Sequence, residues 1–220
     1  MAIIVITGAS SGIGLELTRQ LSTQGNHIYA ICRQATDELK ATNASIIDGI
    51  DLTEEQSYES IQKALENVSI DVLINNAGIL FNESLSNMNF EQIETQMTIN
   101  AIAPLKVTMA LLNHLSSGSK ILMTTSRMGS IEDNTSGGYY GYRASKTALN
   151  SFTKSLAIDL KNKGISVGLV HPGFVQTKMT GFNGDITVEQ SANGYIKLIN
   201  QLNLDNSGGF WHVNGEVLPW

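Results

Sequence analysis

The chain has 220 residues, 42% of them apolar and 15% charged, with a formal net charge of −6. That composition excludes a disordered or fibrous protein and is enough for one globular α/β domain. The acidic balance, with no Lys/Arg run to reverse it locally, excludes a nucleic-acid partner.

Cys32 is the only cysteine, so no intrachain disulfide and no thiolate zinc site can form, and a reducing, cytoplasmic setting is expected. Residues 2–6 are apolar but too short for a signal core or a membrane span, so no membrane partner is expected.

Residues 3–6 form a continuous β-branched run, as in a strand buried on both faces, and end at Thr7-Gly8. Ile13, Leu17 and Leu21 then recur every four residues up to Gly25, which predicts an amphipathic helix with a glycine stop. The alternation continues with strands at 27–32 and 45–50, a helix at 54–67 and a strand at 70–75. A helical stretch at 90–115 follows, interrupted near Pro104. The second half predicts a strand at 120–125, a helix at 142–163, a strand at 165–171, a helix at 188–202 and a short strand at 210–213. This pattern is that of a doubly wound parallel sheet, a Rossmann fold with helices on both faces, spanning residues 1–220 as a single three-layer αβα domain. Long loops at 78–89, 126–141 and 172–187 all follow strands, which gathers them at the carboxyl edge where such sheets bind ligands.

Thr7-Gly8-Ala9-Ser10-Ser11-Gly12-Ile13-Gly14 joins the first strand to the first helix. Glycines there let the backbone approach a pyrophosphate, and the helix start supplies partial positive charge. The spacing is G-x-x-x-G-x-G rather than the commoner G-x-G-x-x-G. The second predicted strand ends Ile31-Cys32-Arg33-Gln34, with no carboxylate to bind a ribose 2′-hydroxyl and with Arg33 able to pair with a 2′-phosphate. NADP(H) is therefore preferred, with NAD(H) as the alternative.

Tyr142 precedes Lys146 by four residues, which places both on one helical face, where the lysine can favour the ionised phenol. Tyr139 bears the same relation to Arg143 but lies earlier in the loop. His171 reads as a packed, satisfied histidine, and no His pair has metal-ligand spacing, so no metal is expected.

Taken together, these motifs resemble the short-chain dehydrogenase/reductase family over essentially the whole chain. The glycine loop, Asn75-Asn76-Ala77-Gly78 and the set Asn100, Ser126, Tyr142 and Lys146 occur in that family's order. The resemblance implies that Tyr142 gives or takes a proton and that Ser126 holds the substrate oxygen. It also implies that Lys146 binds the nicotinamide ribose while tuning Tyr142, and that Asn100 supports a water leading to Lys146. On the cofactor side it implies Gly8, Ser10, Ser11, Gly12, Ile13, Gly14, Asp51, Leu52, Asn76, Ala77 and Gly78. Pro172, Gly173, Val175 and Thr177 complete that side near the carboxamide. The 126–142 stretch is longer than usual, which leaves Ser130 as the alternative to Ser126; Ser126 is preferred because it directly follows the strand. Ser126-Arg127-Met128-Gly129-Ser130 and the ending from Gly209-Phe210 to Pro219-Trp220 look most like the C-factor-like and sniffer-like carbonyl reductases. The expected function is hydride transfer between NADP(H) and a small carbonyl or alcohol; the resemblance also implies self-association through the helices of Asn100 and Tyr142, as a homodimer or homotetramer, with a monomer left open. The alternative is a dinucleotide-binding sensor or signalling protein of C-factor type.

Overall fold

The computed structural model describes residues 1–220. Seven strands, β1 (Ile3–Thr7), β2 (His27–Ile31), β3 (Ser45–Ile47), β4 (Ile70–Asn75), β5 (Leu115–Thr124), β6 (Ser166–His171) and β7 (Phe210–His212), form one sheet. Their order is β3-β2-β1-β4-β5-β6-β7 and every neighbouring pair is parallel. The helices are α1 (Gly12–Thr23), α2 (Asp37–Lys40), α3 (Glu55–Ala64), α4 (Phe90–Met97), α5 (Ala103–Ala110), α6 (Tyr140–Asp159) and α7 (Val188–Gln201).

Successive strand residues point to opposite faces, so continuous apolar strands need cover on both sides. Val5, Leu73, Ile121 and Val167 pack with Ile61, Val107 and Leu149 beneath α3, α5 and α6. Ile4, Ile6, Ile74 and Leu122 face the other way, against Leu17 and Leu21 of α1 and Tyr195 and Leu198 of α7. The winding reverses between β1 and β4, which opens a crevice at their carboxyl ends.

The main differences from the sequence reading are four. β3 stops at Ile47, because Gly49 turns the chain at φ +76°. β5 begins at Leu115 rather than at residue 120. Helix α2 was not foreseen; it is a single turn capped by Thr36, whose hydroxyl accepts from Leu39 N–H. The break expected near Pro104 is a π-helical turn at Thr98–Ile102, and Pro104 itself sits in the first turn of α5, where its missing N–H costs nothing. No helix is long and apolar enough to cross a membrane.

Candidate active site

The glycine loop is built by close contacts between β1, α1 and the end of β4. Thr7 Oγ1 accepts from the N–H groups of Asn76 (3.0 Å) and Ala77 (3.1 Å), and Asn76 Nδ2 donates to the Thr7 carbonyl at 3.1 Å. Gly8 adopts φ +67°, and a Cβ there would lie 2.8 Å from Ala77 Cα. A Cβ on Gly14 would collide with the Gly8 carbonyl and stand 2.7 Å from Asn76 Nδ2. These two glycines let α1 begin directly over the strand end. Its N-cap, Ser11, makes no side-chain cap bond, so the first-turn N–H groups remain free to meet an anion.

A cleft of about 290 Å³ runs from this helix start to the beginning of α6. Gly8, Ser10, Ser11, Gly12, Ile13, Arg33, Asp51, Leu52, Asn76, Ala77, Gly78, Tyr142, Lys146, Pro172 and Thr177 line it. Gly14 does not line it, because it packs behind the loop. Gly173 (φ +84°) and the buried Val175 also lie off its wall: a Cβ on Gly173 would meet Ile186 Cδ1 at 2.6 Å, and Val175 bridges to Ile186. Asn100 and Ser126 sit just behind the wall, buried. Ile79 and Lys178 on the cleft wall fall in the 78–89 and 172–187 loops expected at the ligand-binding edge, whereas Ile31, Cys32, Ile50, Ile99, Thr124 and Thr125 were not singled out, since nothing in their local pattern separates them from core positions. Sequence reasoning also missed Asp48. Read alone, β2 ends without a carboxylate, yet Asp48 at the end of β3 reaches the same corner. There it accepts from Ala35 N–H (3.0 Å) and Gly49 N–H (2.9 Å) and does not line the cleft.

At the inner end of the cleft Tyr142 and Lys146 share one face of α6, with Lys146 Nζ 5.7 Å from the phenol ring centre. Lys146 donates to the Thr124 carbonyl at 2.8 Å. Burial pushes the Tyr142 phenol up to about 12, opposed by the nearby Ser126 hydroxyl, and pulls Lys146 down to about 7. In the protein alone, burial dominates at both groups, and the phenol is protonated at neutral pH.

Ser126 and Ser130 are distinguished by their partners. Ser126 lies beside Tyr142 and caps the short turn at Arg127–Gly129 by accepting from Met128 N–H at 3.1 Å. Ser130 donates to the Trp220 carbonyl at 3.0 Å and accepts from Asp133 N–H at 3.1 Å, which ties it to the end of the chain. Asn100, in the π turn, accepts from Ile79 N–H and donates to the Ile79 carbonyl, both at 2.8 Å, and donates to Ser145 Oγ at 3.1 Å. Its amide thus braces the post-β4 loop against α6. His171 is packed edge-on against His212 with ring centres 5.0 Å apart, and its Nδ1 meets no hydrogen-bond partner within the protein. Burial holds it neutral, with a pKa pulled down to about 3.

A doubly wound sheet with an anion-ready helix start at one end of a cleft, and a tyrosine, lysine and serine at the other, defines an α/β oxidoreductase scaffold. The model of the short chain dehydrogenase family matches residues 2–185, and the chain belongs to that family. It is 36% identical over 226 residues to 1-hydroxy-2-glutathionyl-2-methyl-3-butene dehydrogenase of Rhodococcus sp. strain AD45, with all of both chains covered. Among solved structures it resembles the carbonyl reductase Sniffer of D. melanogaster (30% identity, TM-score 0.91, all of both chains). It also resembles NADPH-bound carbonyl reductase from chicken fatty liver (29% identity, TM-score 0.89, 100% of this chain and 99% of that one).

Proposed function

We propose that this chain is an NADPH-dependent carbonyl reductase in which residues 1–220 act as one domain and Tyr142 is the proton donor. The observation that carries the reading is the buried Tyr142 beside Lys146 on one face of α6, in the same cleft as the free first turn of α1. Resemblance to an NADPH-bound carbonyl reductase supports the choice of cofactor.

The residues fit a dinucleotide. The cradle made by Gly8 and Gly14, which a Cβ would fill, suits a pyrophosphate at the start of α1. Arg33 is exposed at the far end of the cleft and suits a 2′-phosphate, while Asp51 Oδ1 accepts from Thr53 N–H and Oγ1 at 2.9 and 2.8 Å. When bound there, the nicotinamide supplies hydride. Ser126 donates a hydrogen bond to the substrate oxygen, which stabilises the negative charge that develops on it. The Tyr142 O–H gives its proton to that oxygen, and Lys146 stands next to the phenol to stabilise the phenolate left behind.

The test follows NADPH and NADH oxidation against aldehydes, ketones, diketones and quinones. Turnover with NADPH preferred supports the reading. Tight NADPH binding with no turnover of any carbonyl would overturn it in favour of a dinucleotide sensor.

A further inference from the structure

Glu83 lies in the loop after β4, outside the cleft, yet its side chain is fully buried. A carboxylate in that position needs donors, and two converge on it: Gln96 Nε2 at 2.6 Å and the backbone N–H of Gly141 at 3.1 Å. The Glu83 carbonyl also accepts from Tyr139 N–H at 2.8 Å. Gly141 is the second residue of α6 and the immediate neighbour of Tyr142. Tyr139, the N-cap, is left-handed (φ +51°) and makes no side-chain cap bond, so Glu83 supplies from across the chain the acceptor that α6 lacks locally.

Gln96 completes the device. Its Oε1 accepts from Phe81 N–H at 2.8 Å, while Asn100, one turn further on, holds Ile79. Residues 79–83 are thereby laced to α4 and its π turn, and Glu83 carries that anchorage to the first turn of α6. The contact is also close: a Cβ on Gly141 would collide with Gln96 Nε2 and stand 2.9 Å from Ile93 Cα.

We propose that Glu83 and Gln96 are positioning residues for Tyr142, fixing the first turn of α6 so that the phenol faces Ser126. The proposal rests on the reading of Tyr142 as the proton donor. Glu83→Gln removes the match, because its single carbonyl oxygen cannot serve both donors: the new amide N–H₂ faces either Gln96 Nε2 or the Gly141 N–H, donor against donor, and turning Gln96 would strand Phe81 N–H. In the exchanged variant, Glu83→Gln with Gln96→Glu, the amide at 83 donates to the carboxylate at 96 and its oxygen still accepts from Gly141. The carboxylate at 96 accepts from Phe81 as before.

The experiment measures kcat, substrate KM, NADPH affinity and hydrogen exchange at the amides of residues 141–143 in the wild type, Glu83→Gln and the exchanged variant. Glu83→Gln is expected to lower kcat tenfold or more with NADPH affinity unchanged and to speed exchange at those amides. The exchanged variant is expected to recover kcat to within about threefold and to restore protection. A kcat within twofold of wild type in Glu83→Gln, or a loss that the exchange does not repair, would overturn the proposal. If the wild type turns over no carbonyl, the proposed function fails on its own; hydrogen exchange then decides whether Glu83 and Gln96 fix the α6 start.

Discussion

Replacing Lys146 by methionine tests the site's electrostatics without a substrate. Lys146 is 3% exposed, and burial lowers its pKa from 10.5 to about 7. Below about pH 7 the lysine is charged in both the folded and the unfolded chain, and the folded protein bears the full cost of burying the charge. Between about pH 7 and 10.5 the folded protein has released the proton while the unfolded chain keeps it, so unfolding takes up a proton and stability rises with pH. The slope is about 1.4 kcal/mol per pH unit, or about 2 kcal/mol between pH 7.5 and 9, with a ceiling of roughly 5 kcal/mol over the whole window. Tyr142 acts in the opposite direction, but only above the ordinary tyrosine value of 10.0. Urea unfolding of the wild type and Lys146→Met at pH 7.5, 8.25 and 9 isolates the effect. Loss of the hydrogen bond to Thr124 is independent of pH and shifts the variant by a constant, whereas the lysine adds slope to the wild type alone. Wild-type stability should therefore gain on the variant by about 2 kcal/mol across the range. Parallel curves would refute the argument that desolvation dominates at this lysine.

Arg33→Ala should raise the KM for NADPH by about tenfold or more while leaving that for NADH nearly unchanged, since a charge-assisted contact to phosphate is worth roughly 1.5–3 kcal/mol; equal effects on both would remove Arg33 as the phosphate reader. Ser126→Ala should cut kcat by about 10²-fold, whereas Ser130→Ala should keep kcat and cost about 1–2 kcal/mol in urea unfolding through its lost tie to Trp220 and Asp133. The reverse pattern in steady-state rates would exchange their roles.

Predominantly apolar strands were legible in the sequence because most of their residues are buried: β4 occurs at the residues expected, Ile70–Asn75, and β1 is longer by one residue. Where a turn decides the boundary, periodicity is silent. Gly49 ends β3 by its backbone angle, and α2 is one turn held by a threonine cap, too short for any pattern to register. The interruption near Pro104 was visible, but the proline marked the start of α5 rather than the π turn before it. In the site, motif spacing placed Tyr142 and Lys146 on one face because four residues is a local distance on a helix. It carries nothing of how deeply either group is buried, since that burial comes from strands and loops far away in the chain. Distant contacts likewise made the difference at Glu83, Asp48 and Ser130. Each is an ordinary polar residue in its own segment and acquires its role from a partner on another element.

Tyr142→Phe tests the proposed chemistry most directly. The substitution removes one hydroxyl while keeping the ring that fills the start of α6, so NADPH should bind with unchanged affinity by fluorescence titration. Oxidation of NADPH by a carbonyl accepted by the wild type should fall at least 10²-fold. A variant that binds NADPH normally and reduces the same carbonyl at a rate near wild type would contradict the assignment of Tyr142 as the proton donor.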